Sequence, residues 1–332
     1  MVWKNPWYKP DYSHHSPDGF HNVEPEEQKA GDVRRWRRER KASGAPKPPK
    51  EGYDAFLARW WQPARLDEQG DGVWWLGHAT LLLRINDRYI LTDPIFSQRA
   101  SPLRFLGPRR YTPPALAPGR LPPVSAVVIS HNHYDHLDAA SIRFIHRHFP
   151  AVHFYVPLGL GRWFRRCGIT NVTELDWWQS RRDDEFTFHA VPARHWSMRT
   201  LWDRNRSLWC GWVIESVRLR FWFIGDSADS DLLRQIPRRL GPLDGAAIPT
   251  GAFEPRWFMA NHHMGPVEAV ALWRDIGRPP SIPVHWGAFE LADEALDRPP
   301  QLVNEAMSEE EVASALFCPR RIGEFMPLTG NR

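Results

Sequence analysis

Ser130–Asp138 reads SHNHYDHLD, three histidines and two aspartates in nine residues, directly after the apolar run VSAVVI of Val124–Ile129. An apolar run of that length bounded by polar residues is a buried strand, so the titratable cluster falls at a strand end. Residues two apart in an extended segment project to the same side, which lets His131 and His133 converge on one cation. Asp135 and His136 follow as the chain turns and reach a second cation nearby. Imidazole and carboxylate are ligands that zinc accepts, and two metals about 3.5–4 Å apart need a carboxylate between them to moderate their repulsion. The motif therefore calls for further ligands downstream. They stand at the ends of other predicted strands: His195 in VPARHW, Asp226 in FIGDS and His285 in IPVHWG. Seven side chains of metal-ligand type, His131, His133, Asp135, His136, His195, Asp226 and His285, are thus candidate ligands. The remaining histidines, His14, His15, His21, His146, His148, His153 and His189, read as ordinary surface or core residues.

Around these positions short apolar runs alternate with helical patterns. VWWLGHATLLLRI, RYILTDPIF, VSAVVIS, HFYVPL, FTFHAVPA, LWCGWVI, RLRFWFIGD, GAAIPTG and SIPVHWG read as strands. LDAASIRFIHRHF, LGRWFRRCG, SDLLRQIPRRLG and GPVEAVALWRDIG read as helices, the last entered at Pro266 and left at Gly277. Strands interleaved with helices imply an α/β layered domain. Residues 1–69 differ in texture, with Pro-, Gly- and Lys-rich stretches around the basic segment DVRRWRRERK. They are expected to form a basic, partly irregular extension packed on a catalytic domain of residues 70–332.

The 332 residues are 42% hydrophobic and 25% charged, a globular composition with a net charge of +4. Residues 1–50 hold 11 Lys/Arg against 7 Asp/Glu, so the whole excess lies in the extension. The catalytic part is neutral and has no sustained basic stripe, which argues against nucleic acid as a partner. No apolar run reaches the roughly 18 residues that span a bilayer, and the first residues lack the pattern of a signal peptide. A cytoplasmic protein is expected. Cys167, Cys210 and Cys318 are too few and too scattered for a disulfide or cysteine–zinc framework.

At the metal-type residues the sequence resembles the metallo-β-lactamase superfamily of binuclear metallohydrolases. The stretches WLGHATLLL, LTDPIFSQRASPLRFLGPRR, SHNHYDHLD, VPLGL, ELDWWQ, RTLWDRN, GPLDGAAIPTGAFEPRWFM and HWGAFELADE narrow that to the N-acyl-phosphatidylethanolamine-hydrolysing phospholipase D family, over about Trp74–Glu294. The resemblance implies a four-layer αβ/βα sandwich and two Zn²⁺ ions. It assigns His131, His133 and His195 to one zinc and Asp135, His136 and His285 to the other, with Asp226 bridging. Asp135 and His263 are the implied catalytic residues, His263 lying near the phosphate. It further implies a homodimer. Ser227 stands where the family commonly has threonine.

On that reading, water made acidic by two cations attacks the phosphorus of a phospholipid and releases phosphatidic acid and an N-acylethanolamine. Arg256, Trp257, Phe258 and His262 are candidate substrate contacts, Arg256 being equally readable as an ordinary ion pair. Trp177, Trp178, Trp196, Trp202 and Phe253 are candidates for an apolar groove. His78 reads either as a residue orienting a ligand or as a packed core histidine. The basic N-terminal segment with Trp36 suits a peripheral contact with the inner face of a membrane, and equally a solvated helix. Two other functions use the same residues: a metal-dependent lactone, ester or amide hydrolase, and a non-catalytic lipid- or metal-binding protein.

Overall fold

The computed structural model describes residues 3–26, 29–183, 185–308, 310 and 315–330. The first elements are a small ribbon, β1 (His15–Ser16) and β2 (Gly19–Phe20), and two helices, α1 (Asp32–Ser43) and α2 (Tyr53–Trp60). Next come β3 (Gly72–Gly77), β4 (Thr80–Ile85), β5 (Arg88–Thr92), β6 (Val124–Val128), α3 (Ala139–His148), β7 (His153–Pro157), α4 (Gly161–Arg166) and β8 (Val172–Leu175). The second half holds β9 (Ser180–Arg182), β10 (Thr187–Val191), β11 (Gly211–Glu215), β12 (Arg220–Phe223), α5 (Asp231–Leu240), β13 (Gly245–Pro249), α6 (Arg256–Met259), α7 (Pro266–Asp275), β14 (Ser281–Val284), α8 (Arg298–Met307) and β15 (Phe325–Pro327).

These strands build two large sheets, ordered β15-β3-β4-β5-β6-β7-β8 and β14-β13-β12-β11-β10-β9. Each half runs antiparallel first and parallel later, with β5 to β8 parallel in one sheet and β12 to β14 parallel in the other. Alternation sets the layers. Trp212 and Ile214 of β11 and Phe221 and Phe223 of β12 join the core shared with Leu82, Val127 and Phe154 of the other sheet. The intervening Val213 and Trp222 point the opposite way, into a second core with Leu233 of α5, Trp273 of α7 and Val303 of α8. On the far face of the first sheet, Ile142 and Ile145 of α3 and Phe164 of α4 close the outer layer. The architecture is the expected four-layer α/β sandwich.

Two sequence readings are refined. VWWLGHATLLLRI is not one strand but the β3–β4 hairpin, because Gly77 (φ 119°) and His78 (φ 54°) turn the chain back. RPPQLVNEAM, not read as a helix, forms α8, whose prolines occupy the first turn, where no helical N–H is lost. The basic segment is helix α1, but Trp36 does not stand free. Its indole stacks on Phe258 at 4.9 Å and donates to Asp293 Oδ1. Among the described residues, no helix is long and apolar enough to cross a membrane.

The strand directions bring one edge of both sheets together. β5, β6, β10, β12 and β14 all end there, and the β3–β4 turn joins them because β4 runs antiparallel to β5. Gly251 lies where this edge is tightest, since a Cβ on it would sit 2.0 Å from the His285 carbonyl oxygen. Gly251→Ala is expected to lower stability by at least ~2 kcal/mol in denaturant titration, because backbone rather than a flexible side chain must move.

Candidate metal centre

Each side chain of the centre sits just past a strand end: Asp93 after β5, His131, His133, Asp135 and His136 after β6, His195 after β10, Asp226 after β12 and His285 after β14. For His131, His136 and His195 the orientation follows from a hydrogen bond on the outer side of the ring. His195 Nδ1 donates to the His262 carbonyl at 2.9 Å, and His136 Nδ1 donates to Asp93 Oδ2 at 2.6 Å. The Ser130 hydroxyl donates to Asp93 Oδ2, which leaves Ser130 Oγ to accept from His131 Nδ1 at 2.9 Å. In each of these three rings Nδ1 is turned outward by its partner, so Nε2 faces inward.

The inward atoms form two groups. His131 Nε2 lies 2.8 Å from His133 Nδ1, which lies 3.2 Å from His195 Nε2. Asp135 Oδ2 lies 3.2 Å from His136 Nε2, 3.4 Å from His285 Nε2 and 2.9 Å from His78 Nε2. Asp226 Oδ2 sits between the groups, 3.1 Å from both His136 Nε2 and His285 Nε2, 3.7 Å from His195 Nε2 and 3.9 Å from His131 Nε2. All seven side chains suggested by the sequence therefore meet at one place. Six are buried and His133 is half-buried.

Three imidazole nitrogens thus face one another inside the protein, a donor set with room for one cation among them. On the inner side, His136 Nε2, His285 Nε2 and Asp226 Oδ1 are also buried without a hydrogen-bond partner. The electrostatics make the same demand. Burial pushes His131 well below the ordinary histidine value, His133 to about 3 and His195 to about 4, so these rings are neutral at pH 7. Burial also disfavours charge on His136, but the carboxylates of Asp226, Asp135 and Asp93 outweigh it and hold that ring well above the usual value. His285 is raised to about 9 against its own burial, by Asp226 and Asp135. The protons on those two rings occupy the place of a positive charge that the carboxylates require. The donor set and its orphaned atoms fit divalent cations.

Other sequence-selected residues separate into those at the centre and those beside it. His78 is buried with its Nε2 2.9 Å from Asp135 Oδ2. Its φ of 54° and that of 67° at His285 are held by the His285 N–H donating to the His78 carbonyl. His263 Nδ1 lies 4.0 Å from Asp226 Oδ2, and its ring stacks near His285 at 5.4 Å. His262 contributes its carbonyl to His195, while burial drives its own ring down to about 2. Arg256 does not present a free cation. Its guanidinium makes two 2.8 Å bonds to Glu268 and donates to the His263 carbonyl, so it positions that loop. Trp257 carries Arg35 on its face at 4.0 Å, and Phe258 is covered by Trp36. Trp177 is core, stacked on His14 with its indole bonded to the Trp209 carbonyl, and Phe253 is buried. Trp178 carries Arg239 on its face at 4.2 Å. Trp196 stands edge-on to His133 at 4.4 Å and Trp202 is 76% exposed. His14 and His15 flank the buried Asp176. His15 Nδ1 accepts from the Lys9 N–H, which puts the ring proton on Nε2 toward that carboxylate and makes the trio a staple.

Two residues went unread in the sequence. Asp93, an acid closing an apolar strand as Asp226 does, carried a usable signal. Asn22 carried none: its amide accepts from the His195 N–H and donates to the His195 carbonyl, clamping a loop 173 residues away.

With that geometry in place, the comparisons with known proteins fall into line. The profile of the "Beta-lactamase superfamily domain" matches residues 88–286, more than half of the chain. The chain belongs to this superfamily. The superfamily match is accompanied by 41% identity over 234 residues to N-acyl-phosphatidylethanolamine-hydrolyzing phospholipase D 1 of Caenorhabditis elegans, covering 68% of this chain and 66% of that protein. The mitochondrial enzyme of the same name from Saccharomyces cerevisiae is 31% identical over 74% of this chain and 53% of its own length. An uncharacterized protein of Mycobacterium tuberculosis is 40% identical over 74% of this chain and 67% of its own. The superfamily fold is shared with an isothiocyanate hydrolase from Delia radicum gut bacteria, at a TM-score of 0.60 and 17% identity over 78% of this chain and all of that one. A metallo hydrolase of Ignicoccus hospitalis superposes with a TM-score of 0.57 at 17% identity, over 77% of this chain and 97% of that one.

Asn22→Ala leaves the His195 N–H and carbonyl without partners in a buried setting. It is expected to cost about 1–3 kcal/mol in chemical denaturation and to speed hydrogen exchange at the His195 amide. Unchanged exchange there would show that the clamp does not hold the loop.

Proposed function

We propose that this chain is a metal-dependent phosphodiesterase of the phospholipase D type. It would cleave N-acyl-phosphatidylethanolamine-type lipids to phosphatidic acid and an N-acylethanolamine. The observation that carries this reading is the convergence of six further donors around Asp226 in a chain 41% identical to a phospholipase D of that specificity.

In this reading His131, His133 and His195 hold one Zn²⁺, Asp135, His136 and His285 hold a second, and Asp226 serves both. Such ions acidify water and neutralise charge on phosphoryl oxygens. The protein's own residues do the remaining work. Asp93, Ser130 and the His262 carbonyl fix the ring protons of His136, His131 and His195 outward, so these three rings need not reorient when a cation arrives. His78 supports Asp135 from behind. His263, whose carbonyl is tied to Arg256, would donate from its ring to a phosphoryl oxygen, since burial keeps that ring neutral.

Purified enzyme incubated with N-acyl-phosphatidylethanolamine in ¹⁸O-water is expected to yield phosphatidic acid carrying the solvent oxygen, and unlabelled N-acylethanolamine, by mass spectrometry. Chelator-stripped protein is expected to be silent and to recover when zinc is returned. Turnover of acyl-homoserine lactones without phosphodiester cleavage would contradict the reading. Asp226→Asn is expected to bind less metal and to lose turnover. His263→Ala is expected to keep its metal and to lose about 10²–10³ in kcat. Loss of metal in His263→Ala would instead make His263 a ligand.

A further inference from the structure

Beside the metal centre, Tyr134 and Arg199 form a wall with an open cavity on each side, of about 620 Å³ and 390 Å³. The wall is built into the motif: Tyr134 Oη donates to the Arg199 carbonyl, Arg199 donates to the Asn132 carbonyl, and the guanidinium lies over the Tyr134 ring at 4.2 Å. The larger cavity is lined by Arg99, Arg104, Arg143 and Arg199, and the smaller adds Arg162, Arg166 and Arg206. Among the described residues none of these seven arginines makes a salt bridge, whereas Arg194, Arg220, Arg234, Arg256 and Arg274 elsewhere are each paired with a carboxylate. The two acids in the cavity walls are occupied locally. Asp138 caps α3 and accepts from Ser97 and Ser141, and Asp203 accepts from the Arg199 and Thr200 amides.

Exposed apolar residues adjoin this basic face in the chain: Leu103 lines the larger cavity and is followed by Phe105 (78% exposed) and Leu106, and Leu201 (83% exposed) and Trp202 lie between Thr200 and Asp203 of the smaller one. Large apolar side chains exposed together mark an interaction site. Arginines without a carboxylate partner, beside exposed apolar residues, match a surface with anionic charge over hydrocarbon, where basic residues meet headgroups and aromatic or aliphatic ones enter the interface. Duplex nucleic acid meets the charge but gives the three leucines no apolar environment.

We infer that the loops at residues 101–107 and 199–204, with the arginines between them, form the face by which this protein docks on an anionic phospholipid bilayer. This rests on the lipid reading of the site for its purpose, but not for its evidence. It moves the membrane contact away from α1, whose Trp36 is committed to Phe258 and Asp293.

The test is flotation of the metal-replete full chain with vesicles of phosphatidylcholine alone and of phosphatidylcholine mixed with phosphatidylglycerol, without turnover. Binding is expected only to the mixed vesicles and to fall with salt. Phe105→Ser/Leu106→Ser and Arg104→Glu/Arg162→Glu are each expected to weaken it by at least about tenfold. Both are expected to keep wild-type metal content and hydrolysis of the soluble diester bis(p-nitrophenyl) phosphate. Wild-type protein that ignores mixed vesicles, or variants that float like wild type, would overturn the proposal. So would a dimer that dissociates in the apolar variant with no vesicle binding, which would give the face to a second copy, or capture of duplex DNA in place of vesicles. Vesicle binding without N-acyl-phosphatidylethanolamine cleavage would refute the proposed function and leave the docking face standing.

Discussion

Three carboxylates, Asp93, Asp135 and Asp226, lie at or near full burial beside rings whose lone pairs face one another. Such a charge cluster is intolerable in a protein interior unless positive charge is supplied. Protons on His136 and His285 meet the demand when nothing else does, and divalent cations would meet it better because the neutral His131, His133 and His195 then gain a partner too. The rest of the edge serves this constraint. Parallel strands deliver their C-terminal ends to one place, Gly251 lets the His285 turn close, and the left-handed conformations of His78 and His285 are locked by a mutual backbone hydrogen bond.

The orientation of the rings matters as much as their presence. The inward nitrogens of His131, His136 and His195 are each prepared by an outward hydrogen bond, from Ser130, from Asp93 at the end of β5 and from the His262 carbonyl in the loop after α6, while Asn22 of the N-terminal segment holds the His195 backbone. The N-terminal residues are therefore part of the centre's support. α1 covers Phe258 and bonds Asp293, and Tyr53 of α2 bonds Glu290, just beyond the His285 turn.

The layered fold and the meeting of seven donors were legible because both depend on local pattern. Apolar runs of four to six residues marked the strands, and a histidine or aspartate at a run's end marked the edge. What was not legible depends on partners far apart in the chain. Arg256 was readable as a phosphate contact or as an ordinary ion pair, and the partner that pairs it, Glu268, lies one helix further on. Trp177 and Trp36 looked like groove or interface residues, but each found a ring to stack on. Nothing in HNVEP around Asn22 points to His195, because a side-chain amide pairing with a backbone leaves no periodic trace. The basic face was invisible for a related reason: an arginine becomes notable only when the fold leaves it without a carboxylate.

The central claim is that Asp226 stands between two cations in one proposed centre. Anomalous diffraction at the zinc edge from crystals of the metal-replete protein tests it most directly. The account expects two peaks, one among His131 Nε2, His133 Nδ1 and His195 Nε2 and the other among Asp135, His136 and His285, with an oxygen of Asp226 reaching both. A single peak, or a peak at the His14–His15–Asp176 staple and none beside Asp226, would contradict it.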